Sequence, residues 1–118
     1  MKLTNNQQRV LDALREISRA NAVRYRERTP YLYEQDCKKL AAGDQACAFG
    51  MGGLSYQVGD RLKLPAGSVL GIFKALERKG LVLRESSYPE YQRPRYWWPV
   101  GLAAEMAAQL LPAEQVQP

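Results

Sequence analysis

The stretch from Val69 to Leu81 constrains the fold of this chain more than any other. Val69, Ile72, Phe73 and Leu76 stand at i, i+3, i+4 and i+7, the spacing that lays one apolar stripe along a helix and presses it into a core. Lys79 and Gly80 supply a basic last turn and a glycine stop, and Leu81 is the apolar residue expected to pack back after such a cap. A helix fastened along that stripe leaves its opposite side, Gly67, Gly71, Lys74 and Arg78, available for another purpose.

The flanking sequence narrows the architecture. Upstream, Ser55 can cap a short helix carrying Val58 and Leu62, which breaks at Leu64-Pro65-Ala66-Gly67. Downstream, Leu81 to Arg84 and Arg95 to Trp98 are rich in β-branched and aromatic residues and read as two strands around a turn-forming, partly basic tip, Ser86 to Pro94. Two helices with a tight break, then a ribbon, is the predicted order.

At the start, Thr4 and Gln7 have the spacing of a capping box, and Val10, Leu14 and Ile17, with Leu11 and Ala13, make an apolar stripe. A helix over about Asn5 to Ala20 is predicted. Arg24, Arg26 and Arg28 then alternate along a polar stretch that suits either a helix extension or a loop. Thr29-Pro30 is a good helix start, Tyr33, Cys37 and Leu40 fall on one face, and Gly43 is a stop. The run Ala48-Phe49-Gly50-Met51-Gly52-Gly53 lacks the lysine and hydroxyl of a phosphate loop and reads as a connector or short edge strand. A last helix is expected over Leu102 to Leu111, before Pro112 and a polar tail.

Composition excludes much chemistry. With 118 residues the expectation is one domain over 1–111, containing an insert at about 21–53, and a C-terminal tail at 112–118. There is no histidine, which removes every triad, metal site or proton shuttle built on imidazole. Cys37 and Cys47 are too few for a tetrahedral zinc site without acidic help, and read as packed free thiols. No nucleophile stands with a base, so neither an enzyme nor a cofactor is expected. No apolar run is long enough to cross a bilayer, and the first residues lack a secretory signal, so a cytoplasmic location is expected. Lys and Arg outnumber acids 17 to 12, for a net charge of +5, which suits a polyanionic partner but also simply aids solubility.

The residues themselves resemble the winged helix-turn-helix superfamily. Leu-Thr-Asn-Asn-Gln-Gln-Arg-Val-Leu-Asp-Ala-Leu looks like its opening helix, and Ala-Leu-Glu-Arg-Lys-Gly-Leu-Val looks like the recognition helix and first wing strand of MarR-like and PadR-like regulators. The resemblance covers residues 3 to 20 and 54 to about 111. It implies a mainly α fold with a small β-ribbon wing (α+β). It also implies a bacterial transcriptional regulator, a repressor, that binds double-stranded DNA as a homodimer. The recognition helix 66–79 would enter the major groove, and the wing 84–96 would meet the backbone or minor groove.

On that reading Gly67 and Gly71 let the backbone approach the duplex, while Ser68 and the amides beside it hold a phosphate or base edge. Lys74 and Arg78 reach phosphates or guanine, Ala66 and Leu70 complete the exposed start, and Leu70 meets thymine methyls. Arg93 and Arg95, beside Tyr91 and Tyr96, suit a minor groove. The plainer reading makes these cations ordinary surface charge. The sequence departs from the family in placing Pro65 at the cap, in lacking Arg, Asn or Gln at the base-reading positions, and in the long insert.

The last helix is apolar most of the way round, so a second subunit is its expected cover, through Leu102, Met106 and Leu110. Tyr96, Trp97 and Trp98 are consecutive, so at least one ring should point away from the core. Two other functions fit the pattern: a winged-helix module that docks a protein, and a DNA-binding accessory of plasmid or phage replication, partition or transfer.

Overall fold

The structure, a computed structural model, describes residues 2–42, 50–85, 96–102 and 105. Its elements run α1 (Asn5–Arg28), α2 (Pro30–Ala41), α3 (Ser55–Leu62), α4 (Ala66–Arg78), β1 (Val82–Arg84) and β2 (Trp97–Pro99). None of the described helices is long and apolar enough to cross a membrane.

The capping box forms as predicted. The Gln7 amide donates to Thr4 Oγ1 at 3.1 Å and the Thr4 amide donates to Gln7 Oε1 at 3.0 Å. From there α1 runs 24 residues, past Ala20 to Arg28, so the arginine-rich stretch is a helix extension. Two physical reasons stand out: Ala22 continues the buried stripe, and Arg26 and Arg28 place positive charge on the last turn, where the helix dipole favours it. Thr29 ends the helix because a residue before proline is pushed out of the α region, and Pro30 then opens α2.

The start of α3 differs from expectation. Leu54, not Ser55, occupies the cap position, and Gln57 Oε1 accepts from the Leu54 amide at 2.8 Å. The end of α4 follows the sequence closely. Gly80 takes φ +76°, its amide donates to the Glu77 carbonyl, and the Leu81 amide donates to the Leu76 carbonyl. That is a Schellman cap, and it turns the chain directly into β1.

Strands β1 and β2 pair antiparallel, with Val82 opposite Pro99, Leu83 opposite Trp98 and Arg84 opposite Trp97. Gly53 adds a short edge bridge: its amide donates to the Trp97 carbonyl at 2.7 Å, and the Trp97 amide donates back at 2.8 Å. Leu14 and Ile17 crowd the place where a side chain at 53 would begin, so glycine lets this edge lie on α1.

Two apolar clusters hold the molecule. The first joins Val10, Leu11, Leu14 and Ile17 of α1 to Val58, Val69, Phe73, Leu76, Val82 and Trp97. The second gathers Ala22, Tyr33, Cys37, Met51, Trp98 and Leu102. The insert therefore builds most of the second cluster. It also corrects the tryptophan expectation: Trp97 and Trp98 point to opposite sides of β2, yet each is 2% exposed because each side has its own cluster.

Leu102, at 4% exposure, is buried in its own chain's second cluster. The remainder of the expected last helix, including Met106 and Leu110, lies outside the described residues, apart from Glu105, which pairs with Arg19 at 3.5 Å.

Candidate nucleic-acid interface

The predicted site begins at the break between α3 and α4. Lys63 takes a left-handed conformation, φ 57° and ψ 45°, and ends α3. The Leu64 amide donates to the Gly59 carbonyl at 2.9 Å, and a Cβ on Gly59 would stand only 2.6 Å from the Leu64 oxygen. Glycine at 59 thus lets the chain reverse within Lys63, Leu64 and Pro65.

Helix α4 then starts at Pro65 with no side-chain cap. The Ser68 and Val69 amides donate to the Pro65 carbonyl, whereas those of Ala66 and Gly67 precede any intrahelical acceptor. Val69, Phe73 and Leu76 are fully buried, and the Phe73 ring lies 5.2 Å from that of Trp97. The opposite side carries Gly67, Gly71, Lys74 and Arg78, at i, i+4, i+7 and i+11, all exposed together with Ala66 and Ser68. Nothing lies within 4 Å of a Cβ added at Gly67 or Gly71, so no part of the described chain covers this face. Leu70 is different: it is half-buried and packs against the edge of the first cluster.

Charge is distributed unevenly around this face. Arg15, Arg19, Lys38, Arg61 and Arg84 are paired with Asp12, Glu105, Glu34, Glu16 and Glu77 respectively. The one carboxylate of α4, Glu77, is drawn to Arg84 of β1 at 3.1 Å and so leaves the outer face cationic. Lys63, Lys74 and Arg78 make no ion pair among the described residues.

The base of the ribbon is fastened by a residue that sequence reasoning missed. Glu85 is buried, and its Oε1 accepts from the Tyr96 amide at 2.9 Å while its own amide donates to the Tyr96 carbonyl. A lone glutamate after a strand carries no signal for that role. Lys63 was missed too, since sequence reveals its charge but not its backbone. Arg93, Arg95 and Tyr91 lie outside the described residues.

The insert's arginines and tyrosines separate. Arg24 and Arg28 line a cleft of about 390 Å³ with Tyr25, Leu32, Gln57 and Tyr96. The Tyr25 hydroxyl donates to Asp36, and Tyr31 is exposed. Tyr33 is core, edge-on to Tyr25 at 5.8 Å; burial foremost, then the neighbouring Cys37, pushes its phenol pKa well above the usual range. Cys37 is buried in the second cluster, and Cys47 lies outside the described residues. Among the described residues no cluster of His, Cys, Asp or Glu could hold a metal ion.

No protein-family model and no curated protein matches the chain. Several solved structures are similar. One is ZitR of Lactococcus lactis in apo form, with 16% identity, TM-score 0.35, and coverage of 79% of this chain and 64% of that one. A MarR protein from Peptoclostridium difficile has 13% identity and TM-score 0.37, over 85% and 61% of the two chains. The MepR–DNA complex of S. aureus has 16% identity and TM-score 0.37, over 84% and 78%. The chain thus spans less than two thirds of the length of the first two. The fold follows from this chain's own elements: α3, a three-residue turn, α4, then a paired ribbon edged by Gly53. It is a winged helix-turn-helix.

Proposed function

We propose that this chain is a DNA-binding regulator of transcription that lays α4 in the major groove of duplex DNA. The observation that carries the reading is the outer face of α4, which none of the described residues covers or neutralises, opposite a stripe in which Val69, Phe73 and Leu76 are fully buried. B-DNA's major groove, about 12 Å wide, admits one helix held in this way. Gly67 and Gly71 bring the backbone close, Ser68 and the Ala66 and Gly67 amides face a phosphate or base edge, and Lys74 and Arg78 bind phosphates or guanine.

Leu70 contributes at most its exposed edge to thymine methyls, so direct base reading is sparse. Specificity then draws on DNA shape, on Arg93 and Arg95 in the segment joining β1 to β2, and on a second copy of the chain at a neighbouring half-site. Met106 and Leu110 are the candidates for joining two copies. Repression, by excluding other proteins from the bound stretch, is the simplest regulatory outcome. Residues 1–111 are read as one domain, because the insert supplies Ala22, Tyr33, Cys37 and Met51 to the same interior that Trp98 enters.

The test is a titration of random duplex DNA across a range of salt. Binding should fall steeply with salt, and the double variant K74E/R78E should bind at least tenfold more weakly with an unchanged melting curve. Loss of two phosphate contacts should also flatten the salt slope by about two. A wild-type chain that ignores duplex DNA at low salt would end this reading and favour a protein-docking module.

A further inference from the structure

The turn between α3 and α4 holds a lysine where glycine would sit more easily. Among the described residues Lys63 is the only non-glycine with a positive φ. L-residues avoid this region because Cβ crowds the following carbonyl, and helix ends that need it use glycine first and asparagine next.

The turn does not need the lysine side chain to form. Its geometry is set by the Lys63 and Leu64 amides donating to the Gly59 carbonyl, by the missing side chain at Gly59, and by the fixed φ of Pro65. The side chain itself is exposed and has no hydrogen bond or ion pair among the described residues. Nor does α3 lack a cation for its C-terminal dipole, since Arg61 is already in the last turn. The fold therefore calls for the conformation and is indifferent to the ammonium group placed on it.

We propose that Lys63 is a phosphate anchor: its ammonium binds the DNA backbone at the groove wall beside the start of α4, and the strained backbone persists for that contact. The inference rests on the reading of the chain as a duplex-binding protein. Three features select a phosphodiester as the partner. The lysine stands three residues before Ala66, at the end of α4 whose amides are open. It belongs to the same unneutralised set as Lys74 and Arg78. A compact charge on a flexible stem suits a phosphate oxygen better than the fixed donor pattern of a base edge. Contacts of this kind set register and carry no sequence information of their own.

Titrating one duplex at several salt concentrations, with wild type, K63G, K63N and K63R beside thermal melts of each, tests the assignment. K63G and K63N should melt no lower than wild type yet bind several-fold more weakly, by the same factor on every duplex. Their salt slope should be smaller by about one, and K63R should restore both quantities. Wild-type affinity and slope in K63G would overturn the anchor while leaving the duplex-binding reading in place. A melting point for K63G well below wild type would also overturn it, by making the lysine structural. Failure of the wild type itself to bind duplex at low salt removes both.

Discussion

Gly71 weakens the helix that carries it. In the middle of an exposed helical face glycine costs about 1 kcal/mol relative to alanine, and here none of the described residues would obstruct the added methyl. G71A should therefore stabilise the chain by roughly that amount in chemical denaturation, while lowering duplex affinity by holding the backbone off the groove floor. Ser18 offers a matching case inside the molecule. Its hydroxyl is buried with no hydrogen-bond partner among the described residues, so S18A should be neutral or stabilising by about 1 kcal/mol. Tyr33 sets a limit at high pH. Its folded pKa is raised, so the stabilisation is complete below the unfolded phenol's value of about 10 and is lost as pH climbs beyond it. Melting temperatures measured from pH 9 to 11 should fall for wild type and fall less for Y33F. At this scale periodicity made Val69, Phe73 and Leu76 legible, because buried helical positions repeat in sequence. Leu70 and Lys63 were harder: one lies at the margin of the stripe, and the other depends on a dihedral angle that no residue type announces.

Among the elements, α4 with its glycine cap and the two-stranded ribbon could be read almost directly. The extension of α1 could not, since Arg24, Arg26 and Arg28 sit as well in a loop as on the wet side of a helix. Ala22, a residue too small to stand out, and Tyr25, half-buried against the second cluster, mark the face that the extension buries. The pairing of Trp97 and Trp98 with separate clusters was hidden for a related reason. Alternation along a strand shows that two rings part, but what receives the second depends on α2 and Met51, far away in sequence. The role of the insert follows from that packing and can be measured. M51A should destabilise the chain by about 2–5 kcal/mol, the usual range for emptying a buried site of this size. An insert serving only as a surface appendage would leave the unfolding midpoint where it was.

For the molecule as a whole, the long first helix runs along both clusters, and the three residues of β2 separate them. Such an arrangement should unfold as one unit. Trp97 faces the first cluster and Trp98 the second, so the single-tryptophan variants W97F and W98F report on different halves. Their fluorescence transitions in urea should share one midpoint within each variant with far-UV circular dichroism; separate midpoints would mean two independent units. The overall charge balance was visible from composition. Which cations stay unneutralised was not, because that depends on where Asp12, Glu16, Glu34, Glu77 and Glu105 fall once the chain is folded.

The placement of the two indoles has one more consequence. A slip of β2 by a single residue would exchange the rings between clusters of different shape, so side-chain volume fixes how the ribbon is aligned. The connection from β1 to β2 is thereby relieved of that duty. Changes in its length should leave the pairing of β1 with β2 where it is, because the two indoles hold the register.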